Sequence, residues 1–443
     1  MAKIWLFSPV GGTDPISNTN YFDGSMLHIA RHYRSDVIIL YLSKEMLEYQ
    51  QADDRYRYCL NKLFELQGRE NCTIEEITRE TLDKVQEFDI IFRDFRSILD
   101  DLIKRKAPED TLLVNVSSGT PAMKAALLSL VTLRHRDCQA IQVSTPEGKQ
   151  NIHDNRKYDV ELLWQYDEDN KPDTKCRAYK VSLPALWDLQ TEAILRDNLL
   201  AYDYPAAART AESLPEDKKT AVTNLIQMAQ SRYMLDYRTV DRLTASTGYV
   251  FKTIPNKHQQ PIFEYALTVQ LRLKRKEYAD FVRSWSPLIF ELMREYLNLR
   301  FHQNLDDYTN VNDGKYLWDR TKLGKHPDME SKMYLRIGKP VSSEDLASLI
   351  QSEVQSEANN QSEAVQAEAS VFQQLRKAES DIRNMASHQV VPITAEDILK
   401  KTGKTAEQIM SLFRKGIQLI GIRASDETWK SYDHLNKDIM KML

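Results

Sequence analysis

The chain has 443 residues, 42% of them apolar and 28% charged, with a formal net charge of −4. That is too much chain for one hydrophobic core, so two or three soluble globular domains are expected. The slight acidity excludes a surface that tracks long nucleic acid by charge alone, and confines any RNA contact to a short, local site.

No apolar stretch approaches a membrane span; Ala125–Leu133 is among the longest. The start, MAKIWLFSPV, lacks the layout of a signal peptide, so a cytoplasmic protein is expected. Cys59, Cys72, Cys138 and Cys176 have no CxxC spacing. Neither a zinc site nor a disulfide framework is suggested, and buried free thiols in a reducing cytoplasm are expected.

Residues 1–145 alternate strand and helix. Lys3–Phe7 reads as a strand that ends in the loop Ser8-Pro9-Val10-Gly11-Gly12-Thr13. A helix over Phe22–Tyr33 follows, then a buried strand, Val37–Leu42 (VIILYL). Thr73–Ile77 and Asp89–Phe92 are weaker strand candidates. Leu112–Val116 is a further strand, followed by the loop Ser117-Ser118-Gly119-Thr120-Pro121, a helix over Ala122–Arg134 and a strand over Gln139–Ser144. This alternation implies a Rossmann-like, doubly wound α/β domain with a mainly parallel sheet, spanning 1–182. Lys175–Ser182 alternates polar and apolar residues and reads as an antiparallel edge strand, with Pro146–Thr174 as a hairpin carrying a long loop.

From about Pro184 strands nearly vanish and helical periodicity takes over. We read 183–275 as an all-α connector and 276–443 as a second, all-α domain. Leu199–Glu212 (LLAYDYPAAARTAE) resembles the helix pairs of repeat proteins, but only one such unit is present. Tyr278–Leu299 is amphipathic and interrupted at Pro287. Val341–Ser370 holds six acidic residues and no Lys or Arg, and reads as a solvated helix or mobile loop. Phe372, Leu375, Ala378, Ile382 and Met385 form the apolar stripe of a helix that must stop before Pro392. Thr394 with Asp397, and Thr405 with Gln408, have the spacing of capping boxes.

Ligands of open α/β sheets bind beyond the carboxyl ends of the strands, where the strand order reverses. Two loops follow strands in the right way. Gly11 and Gly12, between Ser8 and Thr13, remove side chains so that a ligand can approach the backbone. Ser117, Ser118, Gly119 and Thr120 offer amides and hydroxyls at a helix start, where an anion is favoured, and Lys124 lies one turn further in. Ordinary βα turns would look the same, and neither loop matches a dinucleotide fingerprint.

Metal-free RNA cleavage needs a base for the ribose hydroxyl, an acid for the leaving oxygen, and a cation for the charged phosphate. Histidine and arginine supply these near neutral pH. Among nine histidines, an arginine precedes by four to six residues in two places: Arg383-Asn-Met-Ala-Ser-His388, and Arg320-Thr-Lys-Leu-Gly-Lys-His326, which reads as a loop. The first ends an amphipathic helix, and Asn384 adds a polar neighbour. Residues five apart on a helix lie about 140° apart around the axis, so one straight helix cannot aim both at one phosphate. Either the helix distorts before Pro392 or a second subunit completes the site; a twofold interface that brings two Arg383–His388 pairs together is preferred.

The Ser8–Thr13 loop, the Ser117–Pro121 loop and the Arg383-Asn384-…-His388 motif, in that order along the chain, resemble the CARF–HEPN ribonucleases of type III CRISPR systems, of the Csm type. The resemblance implies a CARF sensor over 1–182 and a HEPN ribonuclease over 276–443. It implies a homodimer whose paired sensors bind a cyclic oligoadenylate, contacted by Ser8, Gly11, Gly12, Thr13, Ser117, Ser118, Gly119, Thr120 and Lys124. Six adenylates are favoured over four by likeness to the streptococcal and enterococcal branch. The paired nuclease domains would cut single-stranded RNA with Arg383, His388 and Asn384, without metal or cofactor, leaving a 2′,3′-cyclic phosphate. The sensor pocket would degrade its activator slowly, with help from Thr13 or Thr120. The link to a type III effector complex would be functional rather than a stable physical one.

A sensor of this kind can also drive a transcription regulator. Thr394–Lys415 looks like a helix-turn-helix around Gly403. The basic residues of its second helix, Arg414 and Lys415, fall at that helix's far end, where a recognition helix does not need them. A catalytically inactive adaptor is the third alternative.

Overall fold

A computed structural model of the chain describes residues 2–135, 137–150, 158–357, 363–388 and 392–443; for 356–357 and 383–388 it describes the backbone. Contacts divide the chain into two compact units, 1–190 and 191–443.

The first unit runs β1 (Ile4–Pro9), α1 (Ser25–Tyr33), β2 (Val37–Ser43), α2 (Lys44–Asp53), α3 (Arg55–Leu66), β3 (Thr73–Arg79), α4 (Phe88–Arg105), β4 (Thr111–Asn115), α5 (Pro121–Leu133), β5 (Cys138–Val143), α6 (Val160–Gln165) and β6 (Ala178–Val181). Its six-stranded sheet has the order β3-β2-β1-β4-β5-β6, with β6 antiparallel to β5 and the other neighbours parallel. Every residue of β2 is buried, because both faces of the sheet are covered. Strand alternation sends Phe7, Ile39, Tyr41 and Val114 to a core shared with α4 and α5. Leu6, Ile38, Leu40 and Leu113 go to the opposite core with α1 and α3.

Two readings of this unit are corrected. Asp89–Phe92 is not a strand but the start of α4, which buries Ile91, Phe95, Ile98, Leu99 and Leu102; those residues recur at helical spacing, and the short Ile90-Ile91-Phe92 run hid it. Pro146–Thr174 is not a hairpin: its described part contains α6 and a single 3₁₀ turn at Glu168–Asn170.

The second unit is helical: α7 (Pro184–Leu200, entering from the first unit), α8 (Tyr204–Ala211), α9 (Glu216–Tyr233), α10 (Tyr237–Thr247), α11 (Gln260–Lys274), α12 (Tyr278–Arg283) and α13 (Trp285–Phe301). The hairpin β7 (Thr309–Asn312) and β8 (Lys315–Trp318) comes next, a small departure from an all-α domain. Then follow α14 (Arg320–Leu323), α15 (Pro327–Met333), α16 (Ser343–Glu357), α17 (Glu363–His388), α18 (Ala395–Thr402), α19 (Ala406–Leu419), α20 (Asp426–Trp429) and α21 (Ser431–Met442). The chain breaks at Ser284, not at Pro287, which sits in the first turn of α13 where its missing N–H costs nothing. Val341–Ser370 is helical over most of its described length and is not wholly solvated, since Leu346, Leu349, Ile350, Val365 and Ala369 are buried.

One hydrophobic core runs from Leu195 to Ile439, so packing does not pause near residue 275. The last helix closes on the first ones: Tyr204 Oη donates to Asn436 Oδ1 at 3.2 Å, and Asn436 Nδ2 donates to the Leu199 carbonyl at 2.7 Å. Deep inside, Arg232 on α9 grips Glu264 on α11 through two bonds of 2.7 and 2.8 Å. Its guanidinium also lies against the rings of Phe251 and Tyr432, at 4.4 and 4.6 Å. Both capping boxes form, Thr394 with Asp397 and Thr405 with Gln408.

Candidate functional site

The strand order reverses between β1 and β4, so the loops that leave their carboxyl ends lie side by side. A Cβ on Gly11 would stand 3.0 Å from the Gly119 nitrogen and 3.1 Å from Ser118 Oγ. Gly119 has φ of +83°, and a Cβ there would sit 2.7 Å from Met123 Sδ. The two glycines are thus what lets the loops touch.

Asp14, which sequence reasoning missed, fastens them. Its carboxylate accepts from the Gly11 N–H at 2.9 Å, the Met26 N–H at 3.0 Å and the Ser118 hydroxyl. Burial raises its carboxyl above the ordinary range, against the pull of those donors. Asn115, the last residue of β4, is fully buried. It donates to Ser8 Oγ at 2.9 Å and Ser25 Oγ at 3.0 Å, and accepts from the Ser117 N–H at 2.9 Å. A loop N–H that needs an acceptor, and a polar residue ending an apolar strand, were the signals that would have found this pair.

The expected ligand contacts separate into two groups. Ser8 and Ser118 are buried, and their hydroxyls are engaged inside the fold. The Ser117 hydroxyl accepts from the Val143 N–H at 2.7 Å. Thr120 caps α5: its hydroxyl accepts from Met123 N–H at 3.3 Å and donates to the Val85 carbonyl at 2.7 Å, so it is a positioning group rather than a free nucleophile. Gly11, Gly12, Thr13 and Gly119 are half-buried and Lys124 is exposed, which leaves them on the surface of the crevice.

Beside it lies a polar pocket of about 50 Å³, lined in part by Thr13, Ser25, Ser117, Ser144 and Arg177. Behind that pocket is a buried charge network. Arg31 holds Asp23 through bonds of 2.6 and 3.0 Å and reaches Asp167 at 3.1 Å; Arg177 holds Asp169 at 2.6 Å. His28 Nδ1 stands 3.6 Å from Asp23 and 3.4 Å from Asp169. Asp23, His28 and Asp169 have donor atoms close enough for a metal ion, as do His28, His32 and Cys176. In both groups His28 is already engaged, its Nε2 accepting from the Arg177 N–H at 2.9 Å, and the two arginines balance the carboxylates.

Burial, with the Asp23 charge beside it, pushes Asp167 up to about 9. Burial also opposes ionised Asp23, but the bonds from His28 and Arg31 outweigh it and leave its carboxyl below the ordinary range. Folded Asp167 therefore keeps a proton that the unfolded chain releases near 3.8. The stability tied to that proton is full below the unfolded value and is lost as pH rises through the folded one. Asp167→Asn should remove this dependence: between about pH 6 and 9, the melting temperature of the wild type should fall more steeply than that of the variant. Parallel melting curves would sink the assignment.

In the second unit, α17 packs against α12, α13, α16, α18 and α19 and buries Phe372, Leu375, Ala378 and Ile382. The helix continues through His388, so Arg383, Asn384 and His388 all sit on its last turns. Their side chains, and that of Met385, lie outside the described residues. The other Arg–His spacing is a loop in part: Arg320 opens the single turn α14, and a turn over Gly324-Lys325 leads to His326 before α15, its ring edge-on to Tyr308 at 5.0 Å.

The helix-turn-helix reading gains no support from α19. That helix buries Ala406, Ile409, Met410, Leu412, Phe413, Gly416 and Ile417; its exposed face carries Glu407, Gln408, Ser411 and Gln418 with Lys415, and Arg414 is engaged by Gln270, too little positive charge for a recognition helix. Among the described residues no helix is long and apolar enough to cross a membrane.

Comparison with known proteins agrees with this layout. Residues 73–178 match the Cas_Csm6 CARF domain family model and residues 251–440 the Cas_Csm6 HEPN domain family model. Fold and matches together define the class: a CARF sensor followed by a HEPN nuclease. The CRISPR system endoribonuclease Csm6 of Mycobacterium tuberculosis is 30% identical, over 99% of this chain and 98% of that protein. The chain belongs to the Csm6 family of CRISPR system endoribonucleases. The Csm6 of Enterococcus italicus is 28% identical over 69% of this chain and 70% of its own length. A solved structure, Enterococcus italicus Csm6 bound to cyclic hexa-2′-fluoro-hexa-dAMP, superposes with a TM-score of 0.66 at 19% identity, covering 100% of each chain.

Proposed function

We propose that the chain is a cytoplasmic, metal-independent endoribonuclease, active as a homodimer and switched on by a cyclic oligoadenylate. Residues 1–182 act as the sensor, 183–275 as the connector and 276–443 as the nuclease. His388 serves as general acid and base, Arg383 takes up the charge of the phosphorane, and Asn384 orients one of them. The ribose 2′-hydroxyl attacks the adjacent phosphorus and the 5′-oxygen leaves, giving a 2′,3′-cyclic phosphate on single-stranded RNA. The observation that supports the dimer is the helix that continues through His388: positions 383 and 388 lie about 140° apart around it, which favours two chains bringing one arginine and one histidine onto one phosphate.

The sensor's ligand sits at the switch point between β1 and β4, against Gly11, Gly12, Thr13, Gly119 and Lys124. A ring of six adenylates is favoured over four; the Enterococcus italicus relative was solved with a six-membered analogue. Slow loss of the activator in this pocket falls to Thr13, since the Thr120 hydroxyl is committed to its cap. The activator couples the nuclease to a type III effector complex without a stable physical link, and it must favour the active dimer by differential affinity. In a fluorescent-RNA assay, cyclic hexaadenylate should start cleavage at a lower concentration than cyclic tetraadenylate. Cleavage that is absent with both rings would overturn the proposal; an order reversed between them would overturn the ring size.

A further inference from the structure

One turn before Arg383, α17 carries a carboxylate that is buried and half satisfied. Glu379 is 3% exposed. Its Oε1 accepts from the Ser286 hydroxyl on α13, while its Oε2 has no hydrogen-bond partner among the described residues. Arg376 Nη1 comes within 3.5 Å of that oxygen without bonding to it. Arg376 is held elsewhere, its Nη2 lying 2.7 Å from Glu344 on α16. That oxygen has an ion pair but no donor, and a buried acceptor left without one is costly.

Helix geometry offers a second cation that can donate. Residues four apart share a face, and an acidic residue preceding a basic one is the favourable order. Residues seven apart also share it, so Arg376 and Arg383 bracket Glu379 along one side of α17. His388 falls on a different side, about 140° beyond Arg383.

We propose that Glu379 is a positioning residue for Arg383: in the cleaving dimer its free oxygen takes the Arg383 guanidinium and fixes the direction in which that cation meets the phosphate. The inference rests on Arg383 being the phosphate-holding group.

The test uses the full chain, fluorescent single-stranded RNA, and whichever of cyclic hexa- or tetraadenylate activates the wild type. With Glu379→Gln, kcat should fall about tenfold while KM for RNA stays nearly unchanged. Glu379→Asp, which keeps the charge one methylene short, should recover part of that loss. If Glu379 works through Arg383, adding Glu379→Gln to Arg383→Lys should cost less than about twofold more. Wild-type kcat in Glu379→Gln, or losses that multiply in the double variant, would overturn the inference. Should Glu379→Gln fail to fold, Glu379→Asp carries the same double-variant comparison. Wild-type cleavage by Arg383→Ala would overturn the active-site assignment as well, whereas an inactive Arg383→Ala beside an unaffected Glu379→Gln overturns this inference alone.

Discussion

A chain carrying Arg383→Ala and His388→Ala should lose activated RNA cleavage by about a thousandfold or more and still bind cyclic oligoadenylate with wild-type affinity. The size follows from what is removed. A positioned acid/base contributes roughly 10²–10⁴ in rate, and a preorganised cation on the phosphate adds to it. The losses should not sum, because the groups act on one transition state and either single variant already removes most of the rate. The binding arm separates the two units: the groups that form the crevice between β1 and β4 belong to residues 1–190, and α17 to 191–443. Wild-type cleavage should persist in EDTA, and retained cleavage by the double variant in EDTA would sink the assignment. The dimer enters through a mixing experiment. If the pair acts across the twofold axis, Arg383→Ala chains mixed with His388→Ala chains regain activity, because one arginine and one histidine then meet in half of the arrangement. A mixture as inactive as its components places the pair within one chain.

The second large effect belongs to Asp14. In Asp14→Ala the N–H groups of Gly11 and Met26 and the Ser118 hydroxyl lose their acceptor together. A buried donor left unpaired costs about 1–3 kcal/mol. Two or three of them take a large share of the roughly 5–15 kcal/mol that keeps a domain folded. The sensor should melt at a clearly lower temperature, and the activator concentration for half-maximal cleavage should rise. Asp14→Asn should be milder, because burial already works against the charge and the amide oxygen can still accept. Gly24→Ala tests the same knot from outside: its Cβ would stand 2.4 Å from Asp14 Oδ1 and 2.5 Å from the Thr13 carbonyl. Unchanged melting and an unchanged activation curve in Asp14→Ala would remove these loops from the sensing function.

What could be read from the chain alone followed from local rules. The VIILYL run is apolar without alternation, which is how a strand covered on both faces looks, and it became β2. The Thr394 and Thr405 caps depend on residues three apart, and both formed as spaced. The crevice loops were legible because glycines mark backbone approach, yet their roles were not. The Ser8, Ser118 and Thr120 hydroxyls, read as ligand groups, tie loop to loop or cap a helix. Asp14 and Asn115 carry no periodicity; their importance arises when β1 and β4, about a hundred residues apart in sequence, become neighbours. The Asp89–Phe92 error has the opposite origin, a window too short to tell period 2 from period 3.6. At the nuclease end, spacing singled out Arg383 and His388 as candidates but said nothing of Glu379, whose burial and bond to Ser286 come from packing between helices.

The continuous core from Leu195 to Ile439 also bears on how such proteins can be recombined. A sensor grafted onto this nuclease at residue 276 would leave behind α7 to α11, and with them the seat of α21 and one half of the Arg232–Glu264 pair on each of two missing helices. The transplantable unit is therefore 191–443 as a whole, and the natural seam for exchanging one sensor for another lies near residue 190.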